Sequence, residues 1–169
     1  MDNVEYVRPG SVSEAVALLA EKPGKARALA GGTDLLVQLK SGRRQIDRVV
    51  DVKGIPDLTE IRVNADGSVL IGAAVPCFKV YSHPAIIAGY PGVIDSVSIV
   101  GGIAIQGRAS LGGNLCNGAP TGDTIPSMAA AGAVALIAGP SGNREVPVAE
   151  FCTGPGQTVL HPEIGRAHV

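Results

Sequence analysis

Val4-Glu5-Tyr6-Val7 alternates apolar and polar positions and stops at Pro9-Gly10, which predicts a short strand and a turn. Ser11 followed three residues later by Glu14 is a capping-box pattern, in which the hydroxyl and the carboxylate each satisfy a free backbone N–H. Ala15, Leu18 and Leu19 then form a helical stripe that ends near Pro23-Gly24. Ala26 to Ala30 reads as a buried strand, broken by Gly31-Gly32. Thr33-Asp34 can cap a second helix bearing Leu35, Leu36 and Leu39, which Ser41-Gly42 closes. Arg48-Val49-Val50-Asp51-Val52 is a third strand. Strand–helix–strand–helix–strand in this order predicts a small parallel sheet with right-handed crossovers.

After Gly54-Ile55-Pro56 the periodicity changes. Thr59 to Val63 and Ser68 to Ala73 alternate around Asn64-Ala65-Asp66-Gly67, a hairpin pattern. Pro76 to Gly101 is helical in character, with Pro84 and Pro91 cutting it into short pieces. Gly107 to Asp123 reads as a long loop rich in Gly, Asn and Pro. Ile125 to Ala131 is a helix candidate, and Ala133 to Ala138 is a strand that Pro140-Ser141-Gly142-Asn143 turns into Arg144-Glu145-Val146-Pro147. The pattern divides the chain into a parallel β/α unit, residues 1–55, and a mostly antiparallel unit with helices, residues 56–162; the class is α+β. The last seven residues, Glu163-Ile164-Gly165-Arg166-Ala167-His168-Val169, translate a nucleotide string resembling a common sequencing-adapter read. They are expected to be a non-native tail and are left out of fold reasoning.

Of the 169 residues, 46% are hydrophobic and 17% charged, which supplies a real core and excludes a disordered chain. Fourteen Lys and Arg against fifteen Asp and Glu leave a net charge of −1, without the basic footprint that nucleic-acid binding needs. Two Phe, three Tyr and no Trp leave few platforms for stacking bases. No apolar run approaches the ~20 residues of a membrane span and the N-terminus is acidic, so a cytoplasmic protein without a membrane span is expected. Cys77, Cys116 and Cys152 are scattered and odd in number, as reduced buried thiols are, and lack the C-x-x-C spacing of a zinc or iron–sulfur site. His83 beside Pro84 reads as a turn residue and Lys40 as a helix-end charge.

Glycine is spent in two informative places. Gly31-Gly32-Thr33-Asp34, between a strand and a helix, presents consecutive backbone N–H groups with no Cβ to block a ligand. It is neither G-x-G-x-x-G nor a P-loop, and by itself a Gly-Gly between strand and helix is more often a plain turn than a ligand cradle. Ser110-Leu111-Gly112-Gly113-Asn114, followed by Asn117-Gly118-Ala119-Pro120-Thr121-Gly122-Asp123, is a second donor-rich stretch. Two such nests with almost no Lys or Arg suit a hydrogen-bonded diphosphate, with Asp123 available to accept from sugar hydroxyls.

Leu29-Ala30-Gly31-Gly32-Thr33-Asp34-Leu35-Leu36 together with the run from Ser110 to Asp123 resembles the FAD-binding subunit of the molybdenum hydroxylases, the family of xanthine dehydrogenase and aerobic carbon monoxide dehydrogenase. The resemblance covers residues 4 to about 162. It implies the two-subdomain FAD-binding type-2 (PCMH-like) fold, a small parallel βαβαβ unit followed by a larger, mainly antiparallel sheet with helices. It implies that Leu29, Ala30, Gly31, Gly32, Thr33, Asp34 and Leu35, with Ser110, Leu111, Gly112, Gly113 and Asn114, bind the FAD diphosphate, and that Asp123 binds the hydroxylated part of the cofactor. Val100 falls near a position where the family places a side chain by the FAD rings. The family also continues through a last strand and a further C-terminal domain beyond these residues.

The implied partners are a molybdenum-cofactor large subunit, a small subunit with [2Fe–2S] clusters, and NAD⁺ or another electron acceptor. No catalytic acid, base or metal ligand is expected in this chain. Two alternatives stay open: another non-covalent type-2 flavoprotein, such as an oxidase or reductase, and a flavin-free structural module. Covalent flavin is disfavoured because Ala30 to Leu36 holds no His or Cys. Under the FAD reading, Gly32→Val and Gly112→Val are expected to press side-chain branches against the phosphates.

Overall fold

In the computed structural model, which describes residues 4–160, Glu5–Val7 (β1), Ala26–Leu29 (β2) and Arg48–Asp51 (β3) form a parallel sheet in the order β1-β3-β2. The expected non-native tail, 163–169, lies outside the described residues. Two crossovers build the sheet: helix α1, Val12–Ala20, joins β1 to β2, and α2, Leu35–Lys40, joins β2 to β3. The capping box forms, with the Ser11 hydroxyl accepting from the Glu14 amide at 3.2 Å and the Glu14 carboxylate from the Gly10 amide at 2.8 Å. On the central strand the buried Arg48 donates to Glu5 at 2.8 Å, Glu21 at 2.5 Å and the Leu18 carbonyl at 2.8 Å. A buried cation is tolerable only when paired and hydrogen-bonded, and this one ties β1 to α1. At the end of β3 the buried Asp51 accepts from the Tyr6 hydroxyl and from Lys53 Nζ at 2.7 Å. Burial works against its charge, but the bonds from Lys53 and Tyr6 prevail and hold the carboxyl below its ordinary value.

Two 3-10 turns, Val52–Gly54 and Pro56–Leu58, lead into the antiparallel pair β4, Ile61–Val63, and β5, Val69–Ile71. Helices α3 (Cys77–Tyr81), α4 (Pro84–Gly89) and α5 (Pro91–Ser98) follow. Pro84 and Pro91 occupy the first positions of α4 and α5, where a missing N–H costs nothing, so they start helices as much as they cut them. Next come α6 (Ile103–Gln106), α7 (Leu111–Asn117) and α8 (Ile125–Ala130). The hairpin of β6, Val134–Gly139, and β7, Gly142–Pro147, then leads through α9, Val148–Phe151, to the short pair β8, Cys152–Gly154, and β9, Gln157–Thr158. Among the described residues the antiparallel strands are thus three two-stranded pairs.

The expected loop from Gly107 to Asp123 contains a helix, α7. Glycine and asparagine are poor helix formers, so propensity hides it; the Ser110 cap and the burial of Leu111 and Leu115 make it form. The largest core cluster surrounds the fully buried Phe151, with Leu115, Ile86 and Val97. A second cluster joins Ala15, Leu19, Val50 and Ile55 to Leu58, Ala73 and Ala74, so residues after position 55 close the core of the parallel sheet. Cys77 and Cys116 are buried and Cys152 half-buried, with no disulfide between them. Burial, with Asp123 adding to it, pushes the Cys77 thiol up to about 11. Among the described residues no group of three His, Cys, Asp or Glu side chains is placed to hold a metal, and no helix is long and apolar enough to cross a membrane.

Candidate functional site

Strand β2 ends at Leu29, opposite Asp51, and the chain turns at once through Ala30-Gly31-Gly32. A Cβ on Gly31 would stand 2.0 Å from the Arg108 carbonyl oxygen and 3.0 Å from the Ala109 nitrogen. Only glycine lets this turn lie against the residues that lead into Ser110, so the two glycine segments touch. Gly32 follows at φ +78°, a left-handed conformation that other residues rarely adopt. Helix α2 begins its own bonding with Leu36 N–H to the Gly32 carbonyl at 3.1 Å and Gln38 N–H to the Asp34 carbonyl at 2.9 Å. Among the described residues, the amides of Gly31, Gly32, Thr33 and Asp34 therefore donate to no protein acceptor. The expected side-chain cap from Thr33-Asp34 does not form. The Asp34 carboxylate instead accepts from Gln38 Nε2 at 2.7 Å, one turn along the same face.

The second segment is the first turn of α7. The Ser110 hydroxyl, in a residue 3% exposed, accepts from the Gly113 amide at 3.1 Å, and the Ser110 carbonyl accepts from Asn114 N–H at 3.0 Å. The Gly112 amide has no protein acceptor among the described residues. Ser110→Ala is expected to lower stability by about 1 kcal/mol, the usual cost of a lost N-cap, as read from the denaturant midpoint of the apoprotein.

The expectation that branches at Gly32 or Gly112 would meet the phosphates is corrected by what surrounds them. A Cβ on Gly112 would stand 2.6 Å from the Ala73 Cβ and 2.6 Å from the Ala73 carbonyl oxygen, so this glycine seats α7 on Ala73. A Cβ on Gly32 would meet Leu29 at 2.9 Å and Leu36 at 3.1 Å. Both glycines shape the protein that carries the amides.

Between the segments lies a cleft of about 150 Å³ that opens to solvent. Leu29, Ala30, Gly31, Gly32, Thr33, Asp34 and Leu35 line it from one side, and Ser110, Gly112, Gly113 and Asn114 from the other. Val52, Leu58, Ala73 and Val100 add apolar surface. Two residues of the expected set stand apart from this lining. The Leu111 side chain is core, 3% exposed. Asp123 is exposed and lies outside the lining; its neighbour Thr124, fully buried, is held by the Asn114 side chain, whose Oδ1 accepts from the Thr124 hydroxyl at 2.9 Å.

The cleft also holds Arg27, Gln38 and Arg44, none of them expected there, together with Asn117 of the second donor-rich stretch. Its near-absence of cations is thereby corrected, since Arg27 and Arg44 both line it. Gln38 had a readable signal, four positions after Asp34 on one helix face. Arg44 had none, because it arrives from a loop. Chemically, a row of unpaired N–H donors with two guanidinium groups suits a diphosphate, and the apolar lining suits the rings attached to one.

Comparison with known proteins agrees with this geometry. Residues 2–164 match the family described as the FAD binding domain in molybdopterin dehydrogenase. The chain is 35% identical over 164 residues to the xanthine dehydrogenase FAD-binding subunit of Escherichia coli O157:H7, covering 96% of this chain and 56% of that one. It is 33% identical over 156 residues to the carbon monoxide dehydrogenase medium chain of Hydrogenophaga pseudoflava, covering 92% and 54%. Among solved structures, carbon monoxide dehydrogenase from Hydrogenophaga pseudoflava, in a form lacking the Mo-pyranopterin moiety of the molybdenum cofactor, aligns with a TM-score of 0.92 at 31% identity, over 98% of this chain and 57% of that one. Quinoline 2-oxidoreductase from Pseudomonas putida 86 aligns with a TM-score of 0.89 at 30% identity, over 95% and 55%. The chain spans about half the length of these relatives. With the family matched over nearly all of its residues and a cleft of the corresponding chemistry, the chain belongs to the FAD-binding domains of the molybdopterin dehydrogenases, and FAD is its cofactor.

Proposed function

We propose that this chain clasps the diphosphate of FAD between Gly31–Asp34 and the first turn of α7, as part of the electron-transfer subunit of a molybdenum hydroxylase. The observation that carries the reading is the contact of Gly31 with Arg108 and Ala109, which brings two amide-rich segments, remote in sequence, to one cleft. The free amides of Gly31, Gly32, Thr33, Asp34 and Gly112 donate to the phosphate oxygens, and Arg27 and Arg44 offset their charge. Val100 offers an apolar surface to one of the cofactor's rings, and the exposed Asp123, outside the lining, is the acceptor for a cofactor hydroxyl that reaches past the cleft. Bound FAD supplies the ability to take up electrons singly and release them in pairs. Among the described residues of the lining, the carboxylate of Asp34 accepts from Gln38. The chain's own work is to bind, orient and shield the cofactor. The electrons come from a [2Fe–2S] subunit fed by a molybdenum-cofactor subunit and pass to NAD⁺ or another acceptor.

The test is direct. The purified chain is expected to take up added FAD with quenching of flavin fluorescence, to release it on denaturation, and to co-purify with molybdenum- and iron–sulfur-bearing polypeptides from its native host. A colourless protein that ignores added FAD overturns the cofactor assignment. Uptake of FAD without such partners overturns the electron-transfer assignment alone.

A further inference from the structure

Gln38 occupies a singular place beside this cleft. It is half-buried on α2, and each polar group of its side chain is engaged. Its Nε2 donates to Asp34 Oδ2 at 2.7 Å and stands 3.5 Å from Asn117 Oδ1; its Oε1 accepts from Arg44 Nε at 2.8 Å. The backbone adds to the same knot, since the Arg44 amide donates to the Gln38 carbonyl at 3.3 Å and the Ser41 hydroxyl to the same carbonyl at 3.2 Å. Asp34, Arg44 and Asn117 come from three different places: the first glycine segment, the loop after α2, and the last turn of α7. All three line the cleft, and all three recur in a neighbouring depression of about 380 Å³. Gln38 stands where the two spaces meet.

The chemistry of this knot is selective. Its centre must donate to a carboxylate and accept from a guanidinium at once. A primary amide does both. Glutamate accepts from Arg44 but opposes Asp34, lysine donates but cannot accept, and methionine has similar length and does neither. The contact with Asn117 is also a direct side-chain link between α2 and α7, the helices that carry the two glycine segments.

We propose that Gln38 is a positioning residue for FAD: through Asp34, Arg44 and Asn117 it fixes the spacing of the two cleft walls and turns the Arg44 guanidinium toward the phosphates. The inference rests on the reading that FAD fills the cleft. Gln38 acts through its three partners, so its removal moves cofactor affinity more than it moves the fold.

The experiment compares the full chain with its Gln38→Met and Gln38→Glu variants, using FAD itself as the probe. Affinity is read by flavin fluorescence quenching, and stability by thermal melting of each apoprotein. Both variants are expected to bind FAD roughly tenfold or more weakly at neutral pH, the equivalent of one lost hydrogen bond to a charged group. Apoprotein melting is expected to stay close to that of the parent. The glutamate variant adds a readout that a merely structural role would not move. Its new carboxyl faces Asp34 and Arg44, with Arg27 and Arg43 as the other charged groups of the two spaces. Two adjacent carboxylates raise one another's proton affinity, so acidification restores an O–H donor toward Asp34. FAD affinity of Gln38→Glu should therefore recover toward that of the parent as pH falls, whereas that of Gln38→Met should not. Parental affinity in both variants overturns the proposal, as does a loss of affinity matched by loss of melting temperature and insensitive to pH. Failure of the parent chain to bind FAD overturns the cofactor reading itself, and the role of Gln38 with it.

Discussion

Gly31→Val is expected to lower FAD affinity by roughly 100-fold or more, the equivalent of losing two hydrogen bonds from backbone amides to charged phosphate oxygens. The reason lies in what the new side chain meets. Its Cβ would stand 2.0 Å from the Arg108 carbonyl oxygen and 2.6 Å from the carbonyl carbon, both main-chain atoms that no rotamer change can move aside. The turn after β2 and the stretch before Ser110 must separate, and the amides of Gly31, Gly32 and Gly112 then no longer converge on one diphosphate. The check is fluorescence titration with FAD, run beside Gly92→Ala as control. Gly92 lies in α5 with nothing within 4 Å of the position its Cβ would take, and its substitution should leave binding untouched. Equal affinity of Gly31→Val and the parent chain would count decisively against a cleft closed by this contact.

Gly112→Val is expected to act first on stability and through it on the site. Helix α7 rests on Ala73, whose Cβ and carbonyl oxygen would both lie 2.6 Å from the new Cβ and whose Cα would lie 2.7 Å from it. Ala73 belongs to the core of the parallel sheet, whereas Leu111 and Leu115 of α7 belong to the larger core. The valine wedges the two apart. Overpacking of this kind costs about 1–3 kcal/mol, which lowers the melting temperature by roughly 2–4 °C per kcal/mol for a chain of this size. Apoprotein melting should show this drop, and FAD affinity should fall with it. Adding Ala73→Gly is expected to restore only part of the loss, because it removes the Cβ–Cβ collision and leaves the carbonyl oxygen and Cα in place. Full rescue would mean that the backbone of residue 73 sets no limit on how close α7 can come, contrary to the geometry.

These two glycines show why the site was partly legible in advance. Side-chain-poor segments containing Gly31-Gly32 and Gly112-Gly113 marked both walls, because amide donors need backbone free of bulk. The physical role expected for Gly112 was nonetheless misplaced: its missing Cβ makes room for Ala73. Asp123, chosen as an acceptor near sugar hydroxyls, stands outside the cleft lining, while Asn114 holds the following Thr124. Arg44 was invisible as a site residue, since nothing local in the sequence distinguishes it from a solvated loop cation.

Local pattern by itself determined the parallel strands, the capping box at Ser11 and Glu14, the β4–β5 and β6–β7 hairpins, and the fact that two glycine pairs had to be explained. Each of these depends on interactions within a few residues, or on hydrophobic periodicity that any core would enforce. Tertiary structure decided the rest. It made α7 a helix where propensity argued for a loop, because Leu111 and Leu115 found a core to enter. It drew Leu58, Ala73 and Ala74 under the parallel sheet, and it gathered Arg27, Gln38, Arg44 and Asn117 around one cleft. These are contacts between distant residues, selected by how well packed surfaces fit, and no periodicity along the chain records them.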